Sequence, residues 1–120
     1  MNHLNSILFE GIVSSEPEVK VYENKGTTVV TFVLSNHRYY QQSDDNGTLE
    51  EQVSSLPVKV WGKLGDKCIN AIHKGTTVRA VGRIEVFEYQ SEDKAKTYFK
   101  PSIIATHIEY KNDNKIDTLN

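Results

Sequence analysis

Pro57-Val58-Lys59-Val60-Trp61-Gly62-Lys63-Leu64 reads as a strand that stops at a glycine and hands over to a helix. Side chains alternate along a strand with period two, so Val58 and Val60 share one face and Lys59 and Trp61 the other. The first face suits a core. The second carries a cation and the only tryptophan of the chain, with Lys63 just beyond it. From Lys63 to Lys74 the apolar residues Leu64, Cys68, Ile69 and Ile72 recur at three- and four-residue spacing, which predicts a helix with one apolar stripe. Gly75 follows as the expected C-terminal cap.

Every other periodic segment is β-like. Leu4 to Val13 is rich in β-formers, with Gly11 expected at a bulge or a close-packing point. Glu16-Pro17 interrupts it, and Glu18 to Tyr22 resumes extended structure. Asn24-Lys25-Gly26 is a turn. Thr27 to Tyr40 is the longest β-rich run, with Val30, Phe32 and Leu34 on one face and Thr31, Val33 and Ser35 on the other. Gln41 to Gln52 is a polar excursion centred on Asp44-Asp45-Asn46-Gly47, whose Asn-Gly pair is a hairpin signal. Val53 to Gly62 is the next strand. Thr76 to Tyr89 follows the helix, and a charged loop from Gln90 to Lys96 joins it to a last strand from Thr97 to Tyr110. Lys111 to Asn120 is polar and is expected to be a short disordered tail. Three strands, a helix and two strands is the element order of the OB-fold: an all-β, five-stranded Greek-key barrel with a helix between strands 3 and 4. Such barrels bind oligonucleotides or oligosaccharides.

A chain of 120 residues supports one domain with a real core. The single cysteine, Cys68, excludes an internal disulfide and offers no zinc pattern; its place in the helical stripe predicts a buried structural thiol. His3, His37, His73 and His107 lack metal-ligand spacing, and no Ser-His-Asp set can be placed, so neither an enzyme nor a cofactor is expected. The first residues lack a basic region followed by an apolar run, and no apolar run approaches the roughly 20 residues of a membrane span. A cytoplasmic protein with no membrane association is expected. Net charge is −2, so any anionic partner must be met by a local arrangement of cations. An aromatic beside lysines on an exposed strand face supplies one, since bases stack on rings and phosphates sit on ammonium groups. Ile7-Leu8-Phe9 and Ile12-Val13 place apolar residues on both faces of the first strand, which predicts pairing with another copy.

Together these residues resemble the bacterial-type single-stranded DNA-binding proteins (SSB) over residues 4 to 110. The resemblance rests on Leu4-Asn5-Ser6-Ile7-Leu8 running to Gly11, Pro17-Glu18-Val19-Lys20, Val58 to Leu64, Lys74-Gly75 leading to Val81-Gly82-Arg83-Ile84, and Tyr98. It implies a sequence-independent binder of single-stranded DNA that protects intermediates of replication, recombination and repair. It also implies a homo-oligomer, normally a tetramer, associated with the nucleoid. Carried over by position, the stacking residues are Tyr40, Trp61 (where the family usually has phenylalanine) and Tyr89, with Tyr39 and Phe87 beside them. The basic contacts are Lys59, Lys63, Arg79 and Arg83, with Lys20, Arg38, Lys94, Lys96 and Lys100 at the rims; His37, beside Arg38 and Tyr39, is the one histidine placed to touch DNA.

Three positions depart from the family pattern. Ser55-Leu56 stands where the family has a Trp-His pair. Glu85-Val86-Phe87-Glu88 replaces a basic run and sets two carboxylates near the expected DNA path, which weakens phosphate attraction. Asn112 to Asn120 does not resemble the long acidic, phenylalanine-tipped tail with which the family recruits repair proteins. These departures favour an alternative of the same fold, a protein like primosomal replication protein B that acts mainly through protein partners.

Overall fold

The computed structural model describes residues 1–22, 24, 26–41, 47–112 and 115–119. Its elements are β1 (Ile7–Val13), β2 (Glu18–Tyr22), β3 (Thr27–Gln41), β4 (Leu49–Trp61), α1 (Gly62–Ala71), β5 (Thr77–Gln90), β6 (Thr97–Asn112) and β7 (Lys115–Leu119). The expected Asp44-Asp45-Asn46 hairpin tip and the turn residue Lys25 lie outside the described residues.

The sheet runs β1-β5-β6-β4-β3-β2, and a second pairing of β1 with β3 closes five of these strands into a ring. All pairings are antiparallel except β4 with β6, which meet in parallel at Val58↔Ile103 and Lys59↔Ile104. Closure with α1 between the third and fourth barrel strands is the OB-fold arrangement. Closure requires close strand approach, and two glycines permit it. A Cβ on Gly82 would lie 1.9 Å from the Ile104 carbonyl oxygen, at the point where Thr106 bulges out of the β5–β6 ladder. Gly11 is a close-packing point rather than a bulge, facing the Ser35 carbonyl. The Asn5 side chain prolongs the ladder beyond β1: its amide donates to the Ile84 carbonyl at 2.7 Å and accepts from the Ile84 N–H at 2.9 Å.

The alternating faces converge inside the ring. Val30, Phe32, Leu34, Val58, Val60, Val78, Ile103 and Ile108 are fully buried there, and α1 closes one end with Cys68. The helix is shorter than its spacing predicts. It ends at Ala71, where the Ile72 N–H donates to the Cys68 carbonyl and the chain turns extended, sending the Ile72 side chain into the core. Gly75 is therefore not a helix cap. It lies in the following turn, its N–H bonded to the Val13 carbonyl, and so ties the start of β5 to the end of β1. Ile69 falls off the buried stripe and is partly exposed.

The C-terminal residues differ from the disordered tail expected of them. Lys115–Leu119 pairs with β6 from Asn112↔Lys115 to Ile108↔Leu119. β4 occupies the same edge of β6 only around Ile103 and Ile104, so the rest of that edge is open to β7, and Leu119 packs against the core. Composition averaged over ten residues, eight of them polar, hides this one anchoring side chain.

Two antiparallel ribbons extend past the barrel. One is the far halves of β3 and β4, paired to Gln41↔Leu49, and the other the far halves of β5 and β6, paired to Gln90↔Thr97. They raise the radius of gyration to 16.9 Å, against roughly 14 Å for a compact chain of this length.

Candidate nucleic-acid interface

Trp61 is the last residue of β4. Gly62 follows with φ +66°, a left-handed conformation that glycine adopts without steric cost. The chain therefore turns into α1 at once, and the indole stays on the outer strand face at 39 % exposure. It packs against Tyr22 of β2, with ring centroids 5.3 Å apart and planes tilted by 35°. Lys20 Nζ lies 5.1 Å from the Tyr22 centroid. Val29 lies between Lys20 and Trp61 in the cross-strand register and is buried although it points outward, because these longer neighbours cover it.

Two residues back along β4 on the same face, Lys59 Nζ lies 5.2 Å from the centroid of Phe87 on β5. Phe87 pairs with Lys100 of β6, whose Nζ lies 4.9 Å from the Tyr89 centroid. Tyr89 in turn stacks on its cross-strand partner Tyr98, 5.2 Å between centroids and 25° between planes. Five rings and three ammonium groups thus share one strip, in the order Tyr98, Tyr89, Lys100, Phe87, Lys59, Trp61, Tyr22, Lys20. Each cation–π contact at such exposed positions is worth about 0.5–1 kcal/mol. That is enough to bias side-chain orientation while leaving the ammonium free to meet a phosphate.

The remaining expected residues fall in different places. Arg83 shares the strip's face and is held by Glu85 at 3.4 Å. Glu88 does not share it: by alternation it faces the other side of the ribbon, opposite Phe99. Only one of the two carboxylates flanking Phe87 therefore reaches the strip. Arg79 is committed elsewhere, between Glu10, to which its Nε donates, and Glu109 at 3.6 Å. These carboxylates raise the Arg79 pKa further, the Glu10 hydrogen bond first. Glu109 also accepts from His107 at 2.8 Å, and that bond leads the causes that lower its carboxyl below the usual range. Lys63 is exposed on the first turn of α1, next to Trp61.

Tyr39, Tyr40 and Arg38 lie far along the β3–β4 ribbon. Tyr39 is ten residues along β3 from Val29, the partner of Trp61, or about 33 Å of extended strand. Alternation puts Tyr39 on the Trp61 side of the ribbon and Tyr40 on the other, where the Arg38 guanidinium sits 5.2 Å from the Tyr40 centroid. His37 Nδ1 is 3.0 Å from Glu51 Oε1. Ser55, at the position of the missing family tryptophan, shares a 2.8 Å hydrogen bond with Ser35.

Sequence reasoning missed Tyr22 altogether, used Tyr98 only as a mark of resemblance, and left Lys20 and Lys100 at the rims. The signal for Tyr22 was present: Lys20 and Tyr22 alternate in a short strand, and their face is fixed once β2 is paired with β3. The loop at the ribbon end is ordered by Asp93, which accepts from Ser91 Oγ at 2.6 Å and from the Ala95 N–H at 3.1 Å. Both bonds hold the Asp93 carboxyl below its usual pKa. No helix among the described residues is long and apolar enough to cross a membrane.

Known proteins of similar sequence and shape point the same way. The Clostridium tetani single-stranded DNA-binding protein is 28 % identical over 107 residues, covering 89 % of this chain and 70 % of its own length. The Aquifex aeolicus single-stranded DNA-binding protein is 30 % identical over 112 residues, covering 93 % and 73 %. In structure, the Plasmodium falciparum SSB from a complex with ssDNA superposes with a TM-score of 0.77 at 20 % identity, over 100 % of this chain and 98 % of that one. A deletion mutant of the Thermus aquaticus single-stranded DNA binding protein gives 0.73 at 17 % identity, over 98 % and 54 %. At such identities these two likenesses speak to the fold. The sequence model of the Single-strand binding protein family matches residues 4–111, and the chain belongs to that family.

Proposed function

We propose that this chain binds single-stranded DNA without sequence preference, by stacking bases on the strip and setting phosphates on its lysines. The carrying observation is the gathering of five rings and three ammonium groups from Tyr98 to Lys20 on one face across four strands, through two ring–ring and three cation–ring contacts. Base–aromatic stacks tolerate any sequence because every base has a π-face. Family membership and the names of the relatives support the same ligand, and the role that follows from it is the protection of intermediates of replication, recombination and repair. The work is binding rather than catalysis, in the cytoplasm with the nucleoid. Trp61, Phe87, Tyr89, Lys59, Lys63 and Arg83 are the contacts proposed from the expected set, joined by Tyr98 and Lys100. Tyr39, on the strip's side of the β3–β4 ribbon, is a further contact that a longer strand reaches, and Tyr40 with Arg38 forms a separate patch on the other side. Residues 1–110 carry the binding unit.

The oligomer is proposed to form through the outer face of β1. Leu8 and Ile12 are 69 % and 42 % exposed there, beside Val81 of β5, and a second copy would bury them. A symmetric pair, doubled to a tetramer, is the expected assembly. Light scattering after size exclusion tests it, and a monomer mass at micromolar concentration would refute it.

The alternative, action mainly through protein partners, draws on the neutralisation of Arg79 and Arg83 by carboxylates. Titration of labelled oligo(dT) at two salt concentrations separates the two readings. Tight binding that salt weakens, with quenching of Trp61 emission, supports the strip; weak binding at both concentrations supports the partner reading.

A further inference from the structure

We infer that β2 is part of the DNA site, with Tyr22 a positioning residue for Trp61 and Lys20 a phosphate contact. This rests on the proposed single-stranded DNA binding and extends it onto a strand outside the closed barrel. Among the described residues β2 pairs with β3 alone, and Glu18 to Val21 are exposed on it. A strand needed only to cover β3 has no use for a cation and an aromatic on one face at this register. Lys20 lies across Val29 from Trp61, and Tyr22 meets the indole ring at 5.3 Å.

The contact has a directional consequence. Trp61 stands at a strand end, makes no side-chain capping bond to α1, and is followed by a glycine. Little else in its own strand fixes the indole. Tyr22 packs against one side of it and Val29 lies beneath, and the 39 % of the residue that stays exposed gives a base a stacking surface already oriented. Ordering a ring before binding removes part of the cost of immobilising it afterwards. Lys20 then places an ammonium group just past that surface, where the next phosphate along the strand would run.

The test uses the full chain, oligo(dT), Trp61 emission and the salt dependence of affinity. Tyr22→Ala is expected to weaken binding about fivefold, the lower end of what loss of a base–aromatic stack gives, and to reduce the maximal quenching of Trp61. Tyr22→Phe keeps the ring and restores both. Lys20→Gln is expected to leave quenching intact and to flatten the log–log salt slope by about 0.7, one phosphate contact on a single strand. A purely structural Tyr22 would lower the melting temperature and leave quenching per bound oligonucleotide unchanged. Should Tyr22→Ala fail to fold, Tyr22→Val, which retains β propensity, takes its place. Wild-type binding with full quenching that neither the Tyr22 variants nor Lys20→Gln alter would overturn the β2 site alone. Absence of wild-type binding would overturn the reading on which it rests.

Discussion

Lys59 reaches over β6 to Phe87: its ammonium nitrogen lies 5.2 Å from the ring centroid, although β4 and β5 are not neighbours in the sheet. The residue beneath is Ile104, the partner of both Lys59 and Arg83, and it is nearly buried. One contact thus joins the barrel wall to the β5–β6 ribbon and makes a single surface of two. The two residues separate by experiment, because one carries charge and the other a ring. Phe87→Ala is expected to weaken oligo(dT) binding by about 1–3 kcal/mol with the salt slope unchanged. Lys59→Ala is expected to flatten the slope by about 0.7. Titrations of both variants at several salt concentrations check this.

Trp61 is the only tryptophan, so its emission reports one site without ambiguity. Binding of oligo(dT) is expected to quench it. Trp61→Ala is expected to lose about 1–3 kcal/mol of affinity and Trp61→Phe less, since phenylalanine keeps a smaller π-face. Oligo(dT) that binds while leaving the emission unchanged would move the path away from the end of β4.

Cys68 is fully buried on the inner side of α1, and burial pushes its thiol up to about 11. The folded state therefore holds its proton where an unfolded chain, with an ordinary thiol near 9, releases it. The sign follows: this contribution is complete below the unfolded value and is lost as pH rises from about 9 towards 11. The melting temperature is expected to fall across that window, and less steeply in Cys68→Ala. Iodoacetamide is expected to leave the native protein unmodified at neutral pH and to label it once unfolded, as mass spectrometry would read.

The barrel was legible because period-two alternation and one helical stripe are local signals. Val58/Val60 against Lys59/Trp61 placed the core and the outer face from eight residues. Non-local pairing was not legible. Nothing within Lys115-Ile116-Asp117-Thr118-Leu119 says that the edge of β6 beyond Ile104 is open to receive it. The same holds for the site. Alternation along its own strand fixed the face of Lys59, whereas Phe87 entered through the resemblance, beside Tyr89. Arg79 carries the same alternation as Arg83, and only the register of β1 and β6 reveals that Glu10 and Glu109 neutralise it. Tyr22 needed β3 as an intermediary. A face is a property of one strand, but a neighbour two strands away is a property of the sheet.

Glu85 is the residue of the strip whose charge opposes DNA. It shares the face of Arg83, Phe87 and Tyr89, and its carboxylate lies 3.4 Å from the Arg83 guanidinium, with both side chains substantially exposed. An exposed pair of this kind contributes on the order of 0–1 kcal/mol to stability, so its main effect falls on the ligand: it occupies Arg83 and repels the phosphate that Arg83 would meet. Glu85→Gln removes the repulsion and releases Arg83; Glu85→Arg adds a second cation as well. Both variants are expected to tighten oligo(dT) binding, and the log–log salt slope to steepen by about 0.7 for each additional phosphate neutralised. The melting temperature of each is expected to stay near that of the wild type. If instead the melting temperature falls and the slope does not move, Glu85 serves the fold, and the DNA path lies off this face of β5. Slope and melting temperature measured on the same preparations decide between these outcomes.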